Sequence, residues 1–489
     1  MRILFAASEV FPLAKTGGLA DVCAGLPRAL QALGQEVVIV LPAYPAAQDR
    51  LAAREPVVPL RDLPGVELPG TELIPGRLPD GGPRVLLVDA GSLFDRPGGP
   101  YGDTSGHDWP DNAERFHRFA QAVCAVAQDR AGLDWRPDLV HCHDWQAGLV
   151  PALLSRERQR PATVFTVHNQ SYLGRFDRTC FAALGLPAEW WTPDALEFYG
   201  DFSFLKAGLV FADQLTTVSP TYARELQRPE YGCGLDGLLR QRASDVTGIL
   251  NGIDTAVWNP ATDPHLLQHY DRDTAAVGKR ANKAALQGEL GLPAAPETPL
   301  LVLVSRLVEQ KGIDLVVELI TRWRDRPLQW ALLGSGEPRW ERQLQALAAT
   351  APERVAVRIG YDEALAHRLE AAGDLFLMPS RFEPCGLNQM YSLRYGTIPV
   401  VHRTGGLADS VVDVFAPGDA TGTGLVFEVP EVDALAAALE RGLALQRNPA
   451  AWNALRRSAM AMDFGWQRSA RAYLEVYGRA LAARGGGHG

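Results

Sequence analysis

The sequence predicts an α/β protein of two doubly wound, Rossmann-like domains facing each other across a deep cleft. Two series of short apolar runs, each separated by helical patterns, carry that expectation, together with one loop motif that occurs once in each series. The first forty residues read as a β-loop-α-β unit. An apolar run from Arg2 to Ala7 is followed by a glycine-containing loop, an amphipathic stretch from Ala20 to Leu33, a stop at Gly34 and a second run from Glu36 to Leu41. Further strands are predicted at Val85–Val88, Asp138–Cys142, Thr163–Val167 and Gln214–Val218. A second series begins at Leu300–Ser305 and continues through Trp330–Leu333, Val355–Ile359, Leu375–Met378, Ile398–Val401 and Leu425–Phe427.

Between the series, residues 259–299 are polar and contain prolines without a clear strand, so the change of domain is placed near Gly248 to Pro260. The expected division is a first domain over 1–250, a second over 251–464, and a C-terminal helix with a glycine-rich tail over 465–489 that packs back on the first domain. Tyr473, Val476 and Tyr477 share one face of that helix. Open sheets of this type bind ligands beyond the carboxyl ends of their strands, which is where site residues are sought.

A length of 489 residues, at ~150 residues per domain, allows about three domains, or two large α/β units. Hydrophobic residues make up 47% and charged residues 21%, which excludes a disordered or fibrous chain. Lys plus Arg number 48 against 57 Asp plus Glu, a net charge of −9 that argues against nucleic acid as a partner but leaves room for one basic pocket. The six cysteines form no C-x-x-C pair, so neither a disulfide framework nor a zinc ribbon is indicated and a reducing compartment fits. Glu9 interrupts the short apolar N-terminus, and no run approaches the ~18 residues of a membrane span, so a soluble cytoplasmic protein is expected.

The repeated motif is Lys15-Thr16-Gly17-Gly18-Leu19-Ala20-Asp21 in the first series and Arg403-Thr404-Gly405-Gly406-Leu407-Ala408-Asp409 in the second. Each copy follows a strand and opens a helix. Paired glycines let the backbone approach a ligand, the helix start favours an anion, and the threonine hydroxyl adds a donor. One polar, partly anionic ligand held by both domains is the reading. A second cluster, Ser305 to Gly312, sets Arg306 and Lys311 at a strand end, where a planar fork and a mobile point charge suit a diphosphate. A solvated strand-end pair is the competing reading of that segment. A third cluster, Ser380 to Leu387, offers Glu383 as an acceptor for sugar hydroxyls, or simply as a helix-capping acid. In the first domain His168, read either as a hydrogen-bonding residue lining the cleft or as a satisfied core histidine, and Asn169 end one strand, and His141 to Trp145 another. The latter admits a metal site as a minor reading, but no further His or Cys cluster supports it, and no metal is expected.

Eight motifs in order then resemble bacterial glycogen synthases and plant starch synthases, the retaining glucosyltransferases of family 5 with the GT-B fold. They are KTGGLADV from Lys15, FDRPGGPYGD from Phe94, HCHDWQAG from His141, TVHNQSYLG from Thr166, ILNGID from Ile249, SRLVEQKG from Ser305, RFEPCGLNQMY from Arg381 and RTGGLADSV from Arg403. The resemblance covers almost the whole chain. It implies transfer of glucose from ADP-glucose to the non-reducing end of an α-1,4-glucan, with ADP-glucose as co-substrate, no cofactor and no obligatory metal. It also implies site residues. Lys15, with Thr16, Gly17 and Gly18, matches the first glycine loop that contacts the sugar nucleotide, and Arg306 with Lys311 the pair that neutralises the departing diphosphate. Glu383 matches the acid that holds donor glucose, with Cys385, Gly386 and Leu387 beside it, and Thr404, Gly405 and Gly406 match the second phosphate cradle. His168 matches a cleft histidine near the reacting sugar, and Asp21, Tyr101, Asp144, Asn169 and Asn251 match positions near glucose or acceptor.

One position departs from a related pattern. Many retaining enzymes of this fold carry a second glutamate eight residues after the first, and here that residue is Tyr391, so no covalent nucleophile is named. Competing readings are the same transfer from UDP-glucose, which no readable residue distinguishes, and a nucleotide-sugar or glycan-binding protein without catalysis. A pyridoxal-phosphate phosphorylase of the same fold would show an aldimine absorbance band. A dinucleotide oxidoreductase is disfavoured because the first loop is T-G-G-L, not G-x-G-x-x-G, and Leu41-Pro42 stands where an acid would end the second strand.

Overall fold

The computed structural model describes residues 1–60, 68–415 and 421–485. The chain divides into two compact units, one comprising Met1–Gly252 with the stretch from Trp466 onward, the other Ile253–Gly465.

The first unit is built on a nine-stranded sheet. Its order is Val246–Gly248, Gln214–Thr217, Ala162–Val167, Leu139–His143, Arg2–Ala6, Glu36–Pro42, Arg84–Asp89, Glu72–Arg77 and Val58–Pro59. The first seven strands are parallel, and the last two pair antiparallel at the edge. Arg2–Ala6 is buried from Ile3 onward and Ala162–Val167 along its whole length, which is why these strands read as unbroken apolar runs. From Arg2–Ala6 the chain winds first to one side and later returns to the other through Leu139–His143. The topological switch point therefore lies between these two strands, with Ser8 and Glu9 just past one and Asp144 just past the other.

The helix Trp466–Gly485 packs on the helix Gly18–Ala32 and on the strands Ala162–Val167 and Gln214–Thr217. Tyr473, Val476 and Tyr477 are fully buried there, and the Tyr477 hydroxyl reaches His141 Nδ1 at 2.8 Å. The Trp466 indole fills the space over Gly25, where an added Cβ would lie 2.1 Å from Nε1. A three-stranded antiparallel sheet, Arg175–Phe176, Asp201–Ser203 and Glu197–Phe198, sits outside the main sheet on a cluster of Phe176, Phe202, Phe204 and Trp145.

The second unit has a six-stranded, all-parallel sheet in the order Val355–Ile359, Gln329–Gly334, Leu300–Val304, Leu375–Met378, Ile398–His402 and Leu425–Phe427. Its switch point lies between Leu300–Val304 and Leu375–Met378, the strands that lead into Arg306 and Glu383.

The polar stretch 259–299 contains a sixteen-residue helix, Ala275–Leu290, whose buried side carries Lys279, Asn282, Lys283 and Gln287. Lys279 Nζ donates to the carbonyls of Glu370 and Ala371 at 3.1 and 2.9 Å on the last turn of Glu363–Ala372, and burial pushes its ammonium well below the ordinary lysine range. Lys283 Nζ pairs at 2.7 Å with Asp374, which also accepts from the Leu300 backbone N–H. Asp374→Ala would leave this ammonium buried without its counter-ion. Chemical denaturation is expected to show a loss of about 3 to 5 kcal/mol, and an unchanged midpoint would contradict the ion pair's structural role.

Candidate active site

In the first unit, the loop after Arg2–Ala6 closes on itself through Glu9, which is 3% exposed. Its carboxylate accepts from the Thr16 backbone N–H at 2.5 Å, the Thr16 hydroxyl at 2.6 Å, the Gly17 N–H at 3.1 Å and the Tyr101 hydroxyl at 2.5 Å. This corrects the expectation for Thr16 and Gly17. Their donors do not face outward to an external anion, because an internal carboxylate takes them. Lys15 Nζ pairs with Asp21 at 2.9 Å and lies 5.2 Å from the Phe11 ring centre, so Asp21 serves as the counter-ion of Lys15. Gly18 is the first residue of the helix.

The strand ends on the other side of the switch point carry a histidine cluster. His168 Nε2 lies 2.9 Å from His143 Nδ1, and the His168 backbone N–H donates to Asp144 at 2.7 Å. His141 Nε2 meets the Thr166 hydroxyl at 2.6 Å. Burial holds the His168 imidazole down to about 3, and pushes His141 and His143 well below the ordinary histidine range, so all three rings are neutral near pH 7. Asp144 has φ +57° and ψ −178°, outside the left-handed helical region and in a backbone conformation that side-chain-bearing residues rarely adopt. Asn169 accepts from the Ser171 N–H at 3.0 Å, which turns the chain away from the strand. Asn251 is 6% exposed, and its Oδ1 has no hydrogen-bond partner among the described residues.

Burial pushes the Asp144 carboxyl up to about 7, with the Glu9 charge adding in the same direction. The folded state therefore holds this proton more tightly than the unfolded chain. The stability Asp144 contributes is complete below its ordinary value of ~4 and is lost as pH rises to about 7. Asp144→Asn is expected to abolish that component. Against the variant, the wild type should lose a few kcal/mol across that window in denaturant titrations, and parallel pH profiles would contradict the raised value.

The second unit brings the predicted Lys311 and Glu383 together. Lys311 Nζ lies 2.5 Å from Glu383 Oε2, which also accepts from the Ser380 hydroxyl at 2.9 Å. Both bonds fall on Oε2, which leaves Oε1 as an acceptor. Lys311 ends a short turn, Glu309–Lys311, rather than starting the helix Ile313–Arg322. The intervening Gly312 has φ +67°, and a Cβ there would meet the Pro379 carbonyl at 2.2 Å. Arg306 follows the neighbouring strand and donates to Gln310 Oε1 at 3.2 Å, while Gln310 Nε2 donates to the Phe382 carbonyl. Gln310 thus links the arginine loop to the glutamate loop.

The second TGGLAD copy is locked to the glutamate loop by backbone contacts. The Gly406 N–H reaches the carbonyls of Glu383 and Pro384, both at 3.1 Å. Gly405 and Gly406 leave no room for a side chain, since a Cβ would lie 2.0 Å from Glu383 O and 2.1 Å from Cys385 O respectively. Cys385 and Thr404 are buried, Gly386 has φ +72°, and Leu387 directly precedes the helix Asn388–Tyr395. Arg403, which occupies the place of Lys15, pairs with Glu428 at 2.7 Å, so the two copies differ in what their basic residue does.

Sequence reasoning missed three contributors: Glu9, Gln389 and His143. Gln389 is fully buried and its Nε2 lies 3.0 Å from each of Cys385 O, Gly386 O and Ser410 Oγ, tying the loop after Glu383 and the helix Gly405–Ser410 to one side chain. Its position one turn past Gly386 was the available signal. The Tyr391 ring stacks on Trp258, with centres 3.7 Å apart and planes 10° apart. Among the described residues no group of three His, Cys, Asp or Glu side chains is arranged to hold a metal ion.

Residues 2–241 match the family described as the starch synthase catalytic domain, and residues 291–457 match glycosyl transferases group 1. The chain is 52% identical to glycogen synthase 1 of Methylococcus capsulatus over 100% of its own length and 98% of the relative's. It is also 52% identical to glycogen synthase of Thioalkalivibrio sulfidiphilus, over 98% and 99% of the two chains. Among solved structures it resembles the catalytic domain of starch synthase IV from Arabidopsis thaliana, bound to ADP and acarbose, with a TM-score of 0.87 and 35% identity over 98% of this chain and 99% of that one. A sucrose-phosphate synthase from Thermosynechococcus elongatus, at 20% identity and a TM-score of 0.60 over 99% of both chains, shares the fold. Two doubly wound units, each with its loops at the switch point, are the GT-B architecture, and the chain belongs to the glycogen synthase family of glycosyltransferases.

Proposed function

We propose that the protein transfers glucose from ADP-glucose to the non-reducing end of an α-1,4-glucan with retention at the anomeric carbon, elongating glycogen. The observation that carries this reading is the group at the second unit's switch point: Lys311 and Glu383 held 2.5 Å apart with Arg306 on the adjoining loop. Relatives named glycogen synthase and an ADP-bound starch synthase support it. In this reading Arg306 and Lys311 stabilise the negative charge that grows on the diphosphate as the glycosidic bond breaks. Glu383 Oε1 accepts from a donor glucose hydroxyl. Gly405, Gly406, Cys385 and Gly386 shape the cradle that Gln389 locks. Lys15 is assigned to the sugar nucleotide, and His168, Asp144, Asn169, Tyr101 and Asn251 to the sugar and acceptor side. The supporting geometry is that Lys15, Tyr101, Asp144 and His168 sit on the loops at the first unit's switch point and the strand beside it, with Asp21 paired to Lys15.

Because side-chain cations are assigned to the leaving group, turnover is expected to survive chelation of divalent metal. None of the cysteines forms a disulfide among the described residues, and no described helix is long and apolar enough to cross a membrane. The test is incubation with glycogen and either ADP-glucose or UDP-glucose, with and without EDTA, following nucleotide release. Faster transfer from ADP-glucose in both conditions is expected. Preference for UDP-glucose would overturn the donor assignment, and loss of activity in EDTA would overturn the assignment of the charge to Arg306 and Lys311.

A further inference from the structure

His143 lies one residue before Asp144, is fully buried, and has no role in the reaction as described so far. Its Nδ1 is 2.9 Å from His168 Nε2, while its Nε2 is buried with no hydrogen-bond partner among the described residues. The rings of Phe5 and His141 lie against it at 4.2 and 4.1 Å between centres. One proton bridges the His143–His168 contact, and there are two ways to place it. If His168 Nε2–H donates, neutral His143 must carry its own proton on Nε2, a buried N–H without an acceptor. If His143 Nδ1–H donates, the unmatched atom is only a lone pair. Orphaned buried N–H groups are the rarer and costlier defect.

We infer that His143 is a positioning residue that donates through Nδ1–H to His168 Nε2 and thereby fixes His168 in the tautomer that carries its proton on Nδ1. His168 then offers the substrate a hydrogen-bond donor and not a base. Its chemical partner is an oxygen acceptor, a sugar hydroxyl or a phosphate oxygen. The same geometry orients the ring, because the His168 backbone N–H is held by Asp144 while the ring edge is held by His143. Burial of all three rings, which keeps them neutral near pH 7, is consistent with a single bridging proton. The tautomer follows from the fold alone. Its effect on turnover rests on the assignment of His168 to the reacting sugar.

The direct test is nitrogen NMR on the intact protein with labelled histidine, one of only ten such residues being His168, identified by the signals lost in His168→Gln. An unprotonated Nε2 and a protonated Nδ1 on His168 are expected, and the opposite pattern would overturn the inference. Kinetics supply the second test. His143→Leu removes the donor and is expected to lower kcat by about 10²-fold with ADP affinity unchanged, whereas His143→Asn, which can place an amide N–H near the former Nδ1, restores most of it. Wild-type kcat in folded His143→Leu, or equal loss in both variants, would overturn the positioning role. Should His143→Leu fail to fold, the NMR pattern and His143→Asn decide. Full turnover in His168→Gln would instead overturn the assignment on which the kinetic consequence rests, while leaving the tautomer measurement to stand or fall separately.

Discussion

Lys311→Ala is expected to lower kcat by about 10²- to 10³-fold, the scale of losing one fixed charge that meets developing negative charge. The lysine does two things. It supplies a positive group beside the loop of Arg306, and it neutralises Glu383, which is 6% exposed and, among the described residues, has only the Ser380 hydroxyl as its other side-chain donor. Removing the ammonium leaves a buried carboxylate without its cation, so the single variant should also lose about 3 kcal/mol or more of stability. The double variant Lys311→Ala with Glu383→Gln, compared with Glu383→Gln alone, separates the two effects. Its denaturation midpoint should recover toward wild type while kcat stays low. Recovery of turnover together with stability would show that the lysine is structural only.

Gly405→Ala is expected to cost a few kcal/mol and to weaken ADP binding by tenfold or more. The residue has φ +41°, and an added Cβ would fall 2.0 Å from the Glu383 carbonyl oxygen, a backbone atom that cannot swing aside. Relief requires the loop carrying Glu383 and Cys385 to part from the helix Gly405–Ser410, which breaks the bonds from the Gly406 N–H. Gly17, the counterpart in the first copy, provides the control. Its backbone is extended, and a Cβ there would meet nothing within 4 Å, so Gly17→Ala should leave the melting temperature almost unchanged. Calorimetric titration with ADP and thermal unfolding of both variants check the contrast, and equal behaviour would contradict it.

That contrast also marks how far the sequence could be read. Strands such as Leu300–Val304 and Leu375–Met378 were legible because parallel strands covered on both faces are continuous apolar runs. Lys311 and Glu383, 72 residues apart in the chain, could be placed at strand ends from pattern alone, but their direct contact could not. The two TGGLAD segments are identical in letters and differ in what surrounds them. One is filled by Glu9, a residue legible only as an interruption of an apolar run, and the other is wedged against the backbone of the glutamate loop. The helix Ala275–Leu290 was hidden because its buried face presents Lys279 and Lys283, whose amino groups are satisfied by Thr397, by carbonyls and by Asp374 outside the helix. Gln389 and His143 were hidden for a related reason. A polar side chain that locks other groups in place is recognised by its partners, and these become known only when the chain is folded.

The most direct measurement of the central claim is proton NMR of the reaction of wild-type protein with ADP-glucose and a short maltooligosaccharide. Growth of α-1,4 anomeric signals in step with ADP release, without free glucose, is the result this account predicts. A β-linked product, or ADP release accompanied only by free glucose, would contradict it.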